Sequence, residues 1–555
     1  MRPKDYRAKT DLLPRVAVAG ALLVSWLPVL GALMASAAMV SGLENRAASL
    51  TAYRDLWTYS QMLEFWLIVK RSVWVSCIAA VLALGVVAAF ASAKEFYKRL
   101  AIVCILIPLV IPDAVRAFSW AQLLAPDGLI GQLVSAVYGA RTGNQSLLAL
   151  LSVSVVPLTF GAFLAGLAAP KATCWLAAAE MPRHPWVHFS RLVIQAVTPV
   201  LLFALAAGFV FSINASAEEQ YLGSSTTSMQ KLTAGLVNIN PSLLGAFGIY
   251  LLLFLGLLTA LTLILSRAAA WLKPRRWFYV PGGLRQQVRA LSNGAARGLP
   301  LFAVSASALV LLGLWLPFYN LTILAFGKGS SHGFPTTYFF TVALQSPELL
   351  RAFLNSLIVA GTSVFLATWL AVYAARVASS SSGLLLIALI VWPILLPADV
   401  QALSIQQVLR ISGIQQSGLS SVVMSHTSWL LPFILVATVF AYRRVPPELL
   451  QAAREYGYSE SQIFRRVVFP VARTSILTTS LALGLLSFTE SRRGWHLAGS
   501  EPLLSTKVFG SLQSGAVGDG PTVYAMALIA LICAVSGCIV VARFARKLSL
   551  GRVNN

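Results

Sequence analysis

Few residues of this chain could do chemistry, and most of those stand near the ends of long apolar runs. Only 19 of its 555 residues are acidic. Asp113 and Arg116 stand beside Phe118 and Trp120, and Asp399 and Gln401 follow Trp392. Glu218 and Glu219 are adjacent, and Glu490 is followed by Arg492 and Arg493. Carboxylates next to aromatic faces suit a cationic solute. Arg116, Arg492 and Arg493 would suit an anion instead. The plainer alternative is that each charge is paired within the chain or solvated where an apolar helix ends. The five histidines and five cysteines show no metal-ligand spacing and no disulfide framework. His426 reads as a satisfied packing histidine, and the cysteines as packing residues.

A second stretch suits docking rather than bond chemistry. It is PPELLQAAREYGYSESQIFRRVVFP, residues 446–470, polar and set between apolar runs. The alanine-rich run LLQAAREY favours a short helix. Gly457 can end that helix in a left-handed conformation. Pro470 can sit in the first turn of the next helix, where its missing N–H costs nothing. The expected product is a small helix, a turn and a re-entry. Ala452 and Ala453 leave room for a close-packed partner, with Arg444, Arg454 and Glu455 as rim charges that orient it.

Membrane helices must position these groups. Hydrophobic residues make up 57% and charged residues 11% of the chain, which excludes a soluble globular protein of this length. Twelve runs are long enough to span a bilayer. They are about 16–40, 72–93, 100–123, 146–168, 191–213, 243–266, 298–326, 353–375, 383–408, 421–442, 470–489 and 521–543. The first is too long and too poorly flanked for a cleaved signal and is expected to be an anchor. If the N-terminus is cytosolic and the spans alternate, most of the 42 lysines and arginines fall on the cytosolic side. Both termini and the 446–470 segment are then cytoplasmic. The net charge of +23 follows from topology and anionic lipid, with no nucleic acid partner needed. Loops at about 41–71 (closed by Lys70 and Arg71 at the interface), 124–145, 214–242, 327–352, 409–420 and 490–520 lie on the other side.

The chain also repeats. A displacement of 275 carries Pro157 onto Pro432, Ala177 and Ala178 onto Ala452 and Ala453, and Phe189 onto Phe464. A displacement of 285 carries Pro108 and Pro112 onto Pro393 and Pro397, and one of 284 carries Ser72 onto Ser356. The proline pairs could unwind their helices; the expectation is that they only kink them. Two six-span halves in the same orientation follow, related by an axis along the membrane normal. The first is 1–275, the basic cytoplasmic linker is 276–297, and the second is 298–555.

Residues 451–470, with Ala452, Ala453, Gly457, Ile463, Phe464 and Pro470 in register, resemble the coupling loop of the permease subunits of type I ATP-binding-cassette (ABC) importers. PDAVRAFSWAQLLAPDGLIGQLVSAV (112–137) and ELLRAFLNSLIVAGTSVFLATWLAVYAAR (348–376) look like spans of the spermidine/putrescine and ferric-iron branch. The resemblance covers nearly the whole chain as two fused permease domains. It implies an all-α polytopic membrane protein: about twelve transmembrane helices as two parallel six-helix type I ABC permease repeats, in a bacterial inner membrane. It implies two partners, a cytoplasmic ATP-binding-cassette ATPase dimer and a periplasmic substrate-binding protein, besides membrane lipid. The chain has no G-x-x-x-x-G-K-[ST] phosphate loop, so ATP and magnesium belong on the partner ATPase and no cofactor is expected in this chain. The cargo implied is a polyamine or ferric iron, moved by alternating access, and the chain is not itself an enzyme.

One departure stands out. In the first coupling loop, 171–195, Pro182 stands where the family has glycine and Gln195 where it has proline; Ala177, Ala178 and Phe189 are kept. Proline cannot take the left-handed turn. A regular coupling element at 447–457 and a shorter, stiffer one ending near Met181 are expected. Two other readings are an ion-driven secondary transporter with twelve spans, against which the docking loops speak, and a membrane scaffold that has lost coupling.

Overall fold

The computed structural model describes residues 12–36, 51–58, 61–92, 113–124 and 241–271. It also describes most of the C-terminal part, 315–326, 336–378, 383–414, 417–443, 445–513 and 520–550, with a few isolated positions besides. Among the described residues all regular structure is helical, as the apolar runs require. Five helices there are long and apolar enough to cross a membrane: Leu13–Ser36, Met62–Leu82, Pro347–Ala378, Leu419–Arg443 and Glu460–Thr489. The expected span at 146–168, all but three positions of that at 191–213 and the first coupling loop lie outside the described residues, as do Pro108, Pro112, Ala177, Ala178, Pro182, Phe189, Glu218 and Glu219.

The chain divides into two compact units. One comprises Met1–Thr58, Leu236–Leu252 and Thr322–Asn555. The other comprises Tyr59–Gly235 and Leu253–Leu321. In the second unit, the helix Gln61–Ser92 starts well before the expected residue 72. Lys70 and Arg71 therefore lie within a helix rather than closing a loop. Long basic side chains can reach out of a span along their stems, so charge alone did not mark its start. Phe65 and Trp66 of that helix meet Phe254 edge to face.

The first unit holds the better part of the bundle. Its helices are α1 (Leu12–Ser36), α2 (Pro241–Trp271, as far as Leu252), α3 (Pro347–Ala378), α4 (Gly383–Val391), α5 (Ala398–Ile411), α6 (Leu419–Arg443), α7 (Pro447–Glu455), α8 (Phe469–Thr489), α9 (Arg492–Leu497), α10 (Leu504–Gln513) and α11 (Gly520–Leu550). The central contact is α3 against α6, with α8 and α1 on their flanks. Lipid is as apolar as leucine, so close backbone approach and polar bonds must hold such helices together. Ala367, Ala371, Ala374 and Ala375 of α3 are fully buried against Leu430, Leu431, Ile434 and Leu435 of α6. Ser363 donates to the Val423 carbonyl at 3.2 Å, Tyr442 to the Val372 carbonyl at 2.9 Å, and Thr368 meets Ser480 at 2.8 Å.

The run expected as one span over 383–408 is broken. α4 passes into a tight turn at Trp392–Leu395, and α5 leaves it at 103°. The proline pair at 393 and 397 thus ends one helix and starts another instead of kinking a continuous one. A break at membrane depth strands carbonyls, which must find partners inside the protein. Trp26 donates to the Leu389 carbonyl at 2.8 Å, and Gln401 Nε2 to the Leu396 carbonyl at 2.8 Å and the Pro393 carbonyl at 3.4 Å. Trp392 Nε1 reaches the Leu252 carbonyl at 3.2 Å. Behind the break, α5 is clamped by glycines. A Cβ on Gly31 would lie 1.9 Å from the Ser404 carbonyl oxygen, and one on Gly248 would lie 3.0 Å from Val400.

The expected loops at 327–352 and 490–520 contain helices: Tyr338–Gln345, the start of α3, α9 and α10. The polar stretches between them had read as loop, but Leu497, Leu503, Leu504 and Phe509 are buried and draw these turns onto the bundle. Asn355 of α3 donates to the Pro502 carbonyl at 3.0 Å, and Ser356 accepts from the Leu504 amide at 2.9 Å.

Candidate functional site

Two places in the first unit gather the residues singled out from the sequence. They sit toward opposite ends of α6 and α8.

At one end, the 446–470 segment folds into a helix and a turn. Pro446 and Pro447 start α7, where a fixed φ and a missing donor are harmless. Gly457 stops it at φ +77°. The Tyr458 amide returns to the Ala453 carbonyl at 3.1 Å and the Gly457 amide to the Arg454 carbonyl at 2.9 Å, which is a Schellman closure. Ser459 then caps the next turn reciprocally with Gln462. Helical structure resumes at Glu460, ten residues before Pro470. The chain widens into a π-type turn over Phe464–Val468, where the Phe469 amide reaches back five residues to the Phe464 carbonyl. Pro470 therefore stands in the first turn of α8, as expected, although the chain leading into it is already helical. The wide turn just ahead of it accommodates the missing N–H.

Phe464 anchors this module. It is 8% exposed. Its ring lies within ring-contact distance of Tyr373, Tyr442 and Phe469, and the Arg376 guanidinium stands 4.5 Å over it. The two alanines part company. Ala453 is buried and packs α7 onto its own chain, while Ala452 is half-buried. Leu449, Ala452 and Tyr456 fall on one face at helical spacing, with Leu449 and Tyr456 exposed. Arg454 pairs with Glu460 at 3.0 Å and Gln451 with Glu455 at 3.0 Å, so these charges are engaged within the module.

Toward the other end, charged residues converge at the helix break. Glu490 caps α8 and accepts from the Arg493 amide at 3.0 Å and from Arg493 Nη1 at 3.2 Å. Arg493 Nη2 donates to Gln401 Oε1 at 2.9 Å. His426 Nε2 is 3.2 Å from Glu490, and its Nδ1 is 2.7 Å from Ser487. Asp399 meets His496 at 3.0 Å. The guanidinium of Arg493 lies 4.6 Å from the Trp429 ring, and that of Arg492 lies 4.9 Å from Phe509. Asp399, Gln401, His426, Arg492 and Arg493 are all buried. His426 stands seven residues into α6, about 10 Å along its axis. Burial disfavours the Glu490 carboxylate, and its contacts with His426 and the Arg493 guanidinium offset that cost.

Of the sequence-predicted pathway residues, the structure thus brings together Asp399, Gln401 and Glu490, each with partners in the chain. Arg116 and Trp120 belong to the second unit. They are buried on one face of the helix Asp113–Leu124, which Asp113 begins. His426, His496 and Trp429 were not singled out as site residues. The one local signal was Glu490 and Arg493 at i, i+3 spacing.

A bundle of membrane-length helices with an exposed helix–turn module at one end and a buried charge cluster toward the other is the architecture of a polytopic membrane protein. Known proteins agree. The chain is 27% identical over 232 residues to the spermidine/putrescine transport system permease protein PotC of Escherichia coli K12, a match covering 40% of this chain and 84% of that protein. It is 24% identical over 141 residues to PotC of Haemophilus influenzae, covering 25% of this chain and 53% of that protein. It is 34% identical over 121 residues to the inner membrane ABC transporter permease protein YdcU of E. coli K12, covering 21% and 36%. No family model matches the chain. These relatives bear out the resemblance to ABC importer permeases.

Proposed function

We propose that this chain is the membrane permease of an ATP-driven, binding-protein-dependent importer, with both permease domains in one polypeptide. The observation that carries this reading is the module at 446–470. A nine-residue helix is closed by Gly457, anchored through Phe464 to α3 and α6, and turns Leu449, Ala452 and Tyr456 outward. An exposed apolar face on a small rigid lever suits insertion into a cleft of an ATPase. Closure of the ATPase dimer would then be passed through Phe464 to the ends of two long helices. The match to PotC accounts for 84% of that protein with 40% of this chain, which leaves room for a second permease domain. That supports the division into 1–275 and 298–555 with a basic linker between.

The cargo we infer is a polyamine, in keeping with the names of the two PotC relatives, rather than ferric iron. Asp399, Gln401 and Glu490, with Asp113, Arg116, Trp120, Glu218 and Glu219 of the first half, are the pathway residues of this reading. The remaining assignments are cytoplasmic termini, a bacterial inner membrane and a periplasmic donor protein. The experiment is purification of the tagged chain from its own host, followed by ATPase assay in proteoliposomes. The expected result is a co-purifying ATPase whose hydrolysis rises when putrescine-loaded donor protein is added. A chain that carries no ATPase, and takes up putrescine only along an ion gradient, would be a secondary transporter instead.

A further inference from the structure

We propose that Arg493 is a tethered cation occupying a site for primary amines, and that a solute ammonium takes its place during transport. The inference rests on the polyamine reading above and names residues that recognise the cargo. The Arg493 guanidinium is enclosed on three sides by groups that recognise an amine. Gln401 Oε1 accepts from Nη2 at 2.9 Å and from Nε at 3.3 Å. The Glu490 carboxylate accepts from Nη1 at 3.2 Å. The Trp429 ring presents its face at 4.6 Å. A carbonyl oxygen, a carboxylate and an indole face form a cage for a positive charge with several N–H donors.

The cage stands at the broken helix. Gln401 holds the Leu396 and Pro393 carbonyls with its amide while it holds Arg493 with its oxygen. Displacing Arg493 therefore frees Gln401, which beside the His496–Asp399 contact links α9 to the break, so an arriving cation and a change at the break are linked. The enclosed charge also fits a site closed in this state. Without Arg493 the buried Glu490 carboxylate would keep only His426 beside it, so a cation in the cage stabilises it whether it comes from the chain or from solute.

The test needs no ATPase. Thermal unfolding of the purified chain in nanodiscs is followed with and without about 10 mM putrescine, using 1,4-butanediol as the uncharged isostere. Arg493→Ala is expected to lower Tm, and putrescine to restore several degrees of it. Butanediol should do nothing, and putrescine should leave the wild-type chain unmoved. Adding Trp429→Leu to Arg493→Ala should remove the rescue. An Arg493→Ala chain indifferent to putrescine, or a wild-type chain that shifts equally, overturns the proposal. Should Arg493→Ala fail to fold in either buffer, Trp429→Leu alone decides. It is expected to raise the KM for putrescine uptake at least fivefold with little change in maximal rate, while Trp429→Phe stays near wild type. An unchanged KM contradicts the amine site. A chain that takes up no putrescine in any form sinks the importer reading itself, and the unfolding assay separates the two failures.

Discussion

The module at 446–470 and the cluster around Glu490 lie on the same helices and use polar residues in opposite ways. The module shows most of its polar and apolar side chains to the outside and is anchored to the bundle by Phe464, with Ala453 and Ile463 also buried. The cluster hides its charges: Arg492 and Arg493 are 3% and 5% exposed, and the carboxylates of Asp399 and Glu490 are engaged by His496, His426 and Arg493. A surface built to meet a partner tolerates exposed charge. In a polar network at membrane depth each unpaired group bears a large desolvation cost, and here Arg493 is engaged on three sides while Arg492 Nε and Nη2 are buried without a hydrogen bond. Substitutions should therefore act on stability at the cluster and on partnership at the module.

The largest effect is expected at the cluster. Glu490→Ala leaves Arg493 and His426 without their carboxylate and should cost about 3–5 kcal/mol, read as lost detergent-solubilised protein or a lower Tm. Gly31→Leu comes next. Its side chain would enter the Ser404 backbone, and overpacking of this kind costs about 1–3 kcal/mol, with α1 and α5 forced apart. Gly457→Val is smaller in stability, about 1–2 kcal/mol for a left-handed φ, yet it should abolish most uptake at near-normal expression because α7 loses its closure. Tyr456→Asp should leave Tm unchanged and strip the co-purified ATPase. Arg454→Ala is the smallest, under about 1 kcal/mol, since its ion pair with Glu460 is exposed. Equal losses of stability from Glu490→Ala and Tyr456→Asp would erase the distinction between the two regions.

The module was legible in the sequence because its signals are local. The alanine-rich run, the glycine and the two opening prolines lie within a dozen residues, and each has a known effect on its own turn. Pro470 read correctly as a first-turn proline of α8; the π-type turn at 464–468 that leads into it left no signal in the sequence. Ala453 misled: two neighbouring alanines point in different directions, and only the packed helix shows which one faces inward. The cluster was half visible. Asp399, Gln401 and Glu490 attracted notice as charges or amides near span ends, but their partners come from α6 and α9. Pairing across helices leaves no spacing to read. The break at 396–397 drew on both kinds of donor: Trp26 of α1 reaches the Leu389 carbonyl across the bundle, which leaves no spacing to read, while Gln401 serves the Leu396 carbonyl from five residues on.

What touches α7 in the assembled system tests its coupling role most directly. A photo-crosslinking amino acid placed at Leu449 or Tyr456, with Ala453 as the buried control, would be activated in cells that express the whole system. The expected result is an adduct of the chain with its ATPase from positions 449 and 456 and none from 453. Adducts with lipid alone, or no protein adduct at all from the two exposed positions, would contradict the assignment of this module as the coupling element.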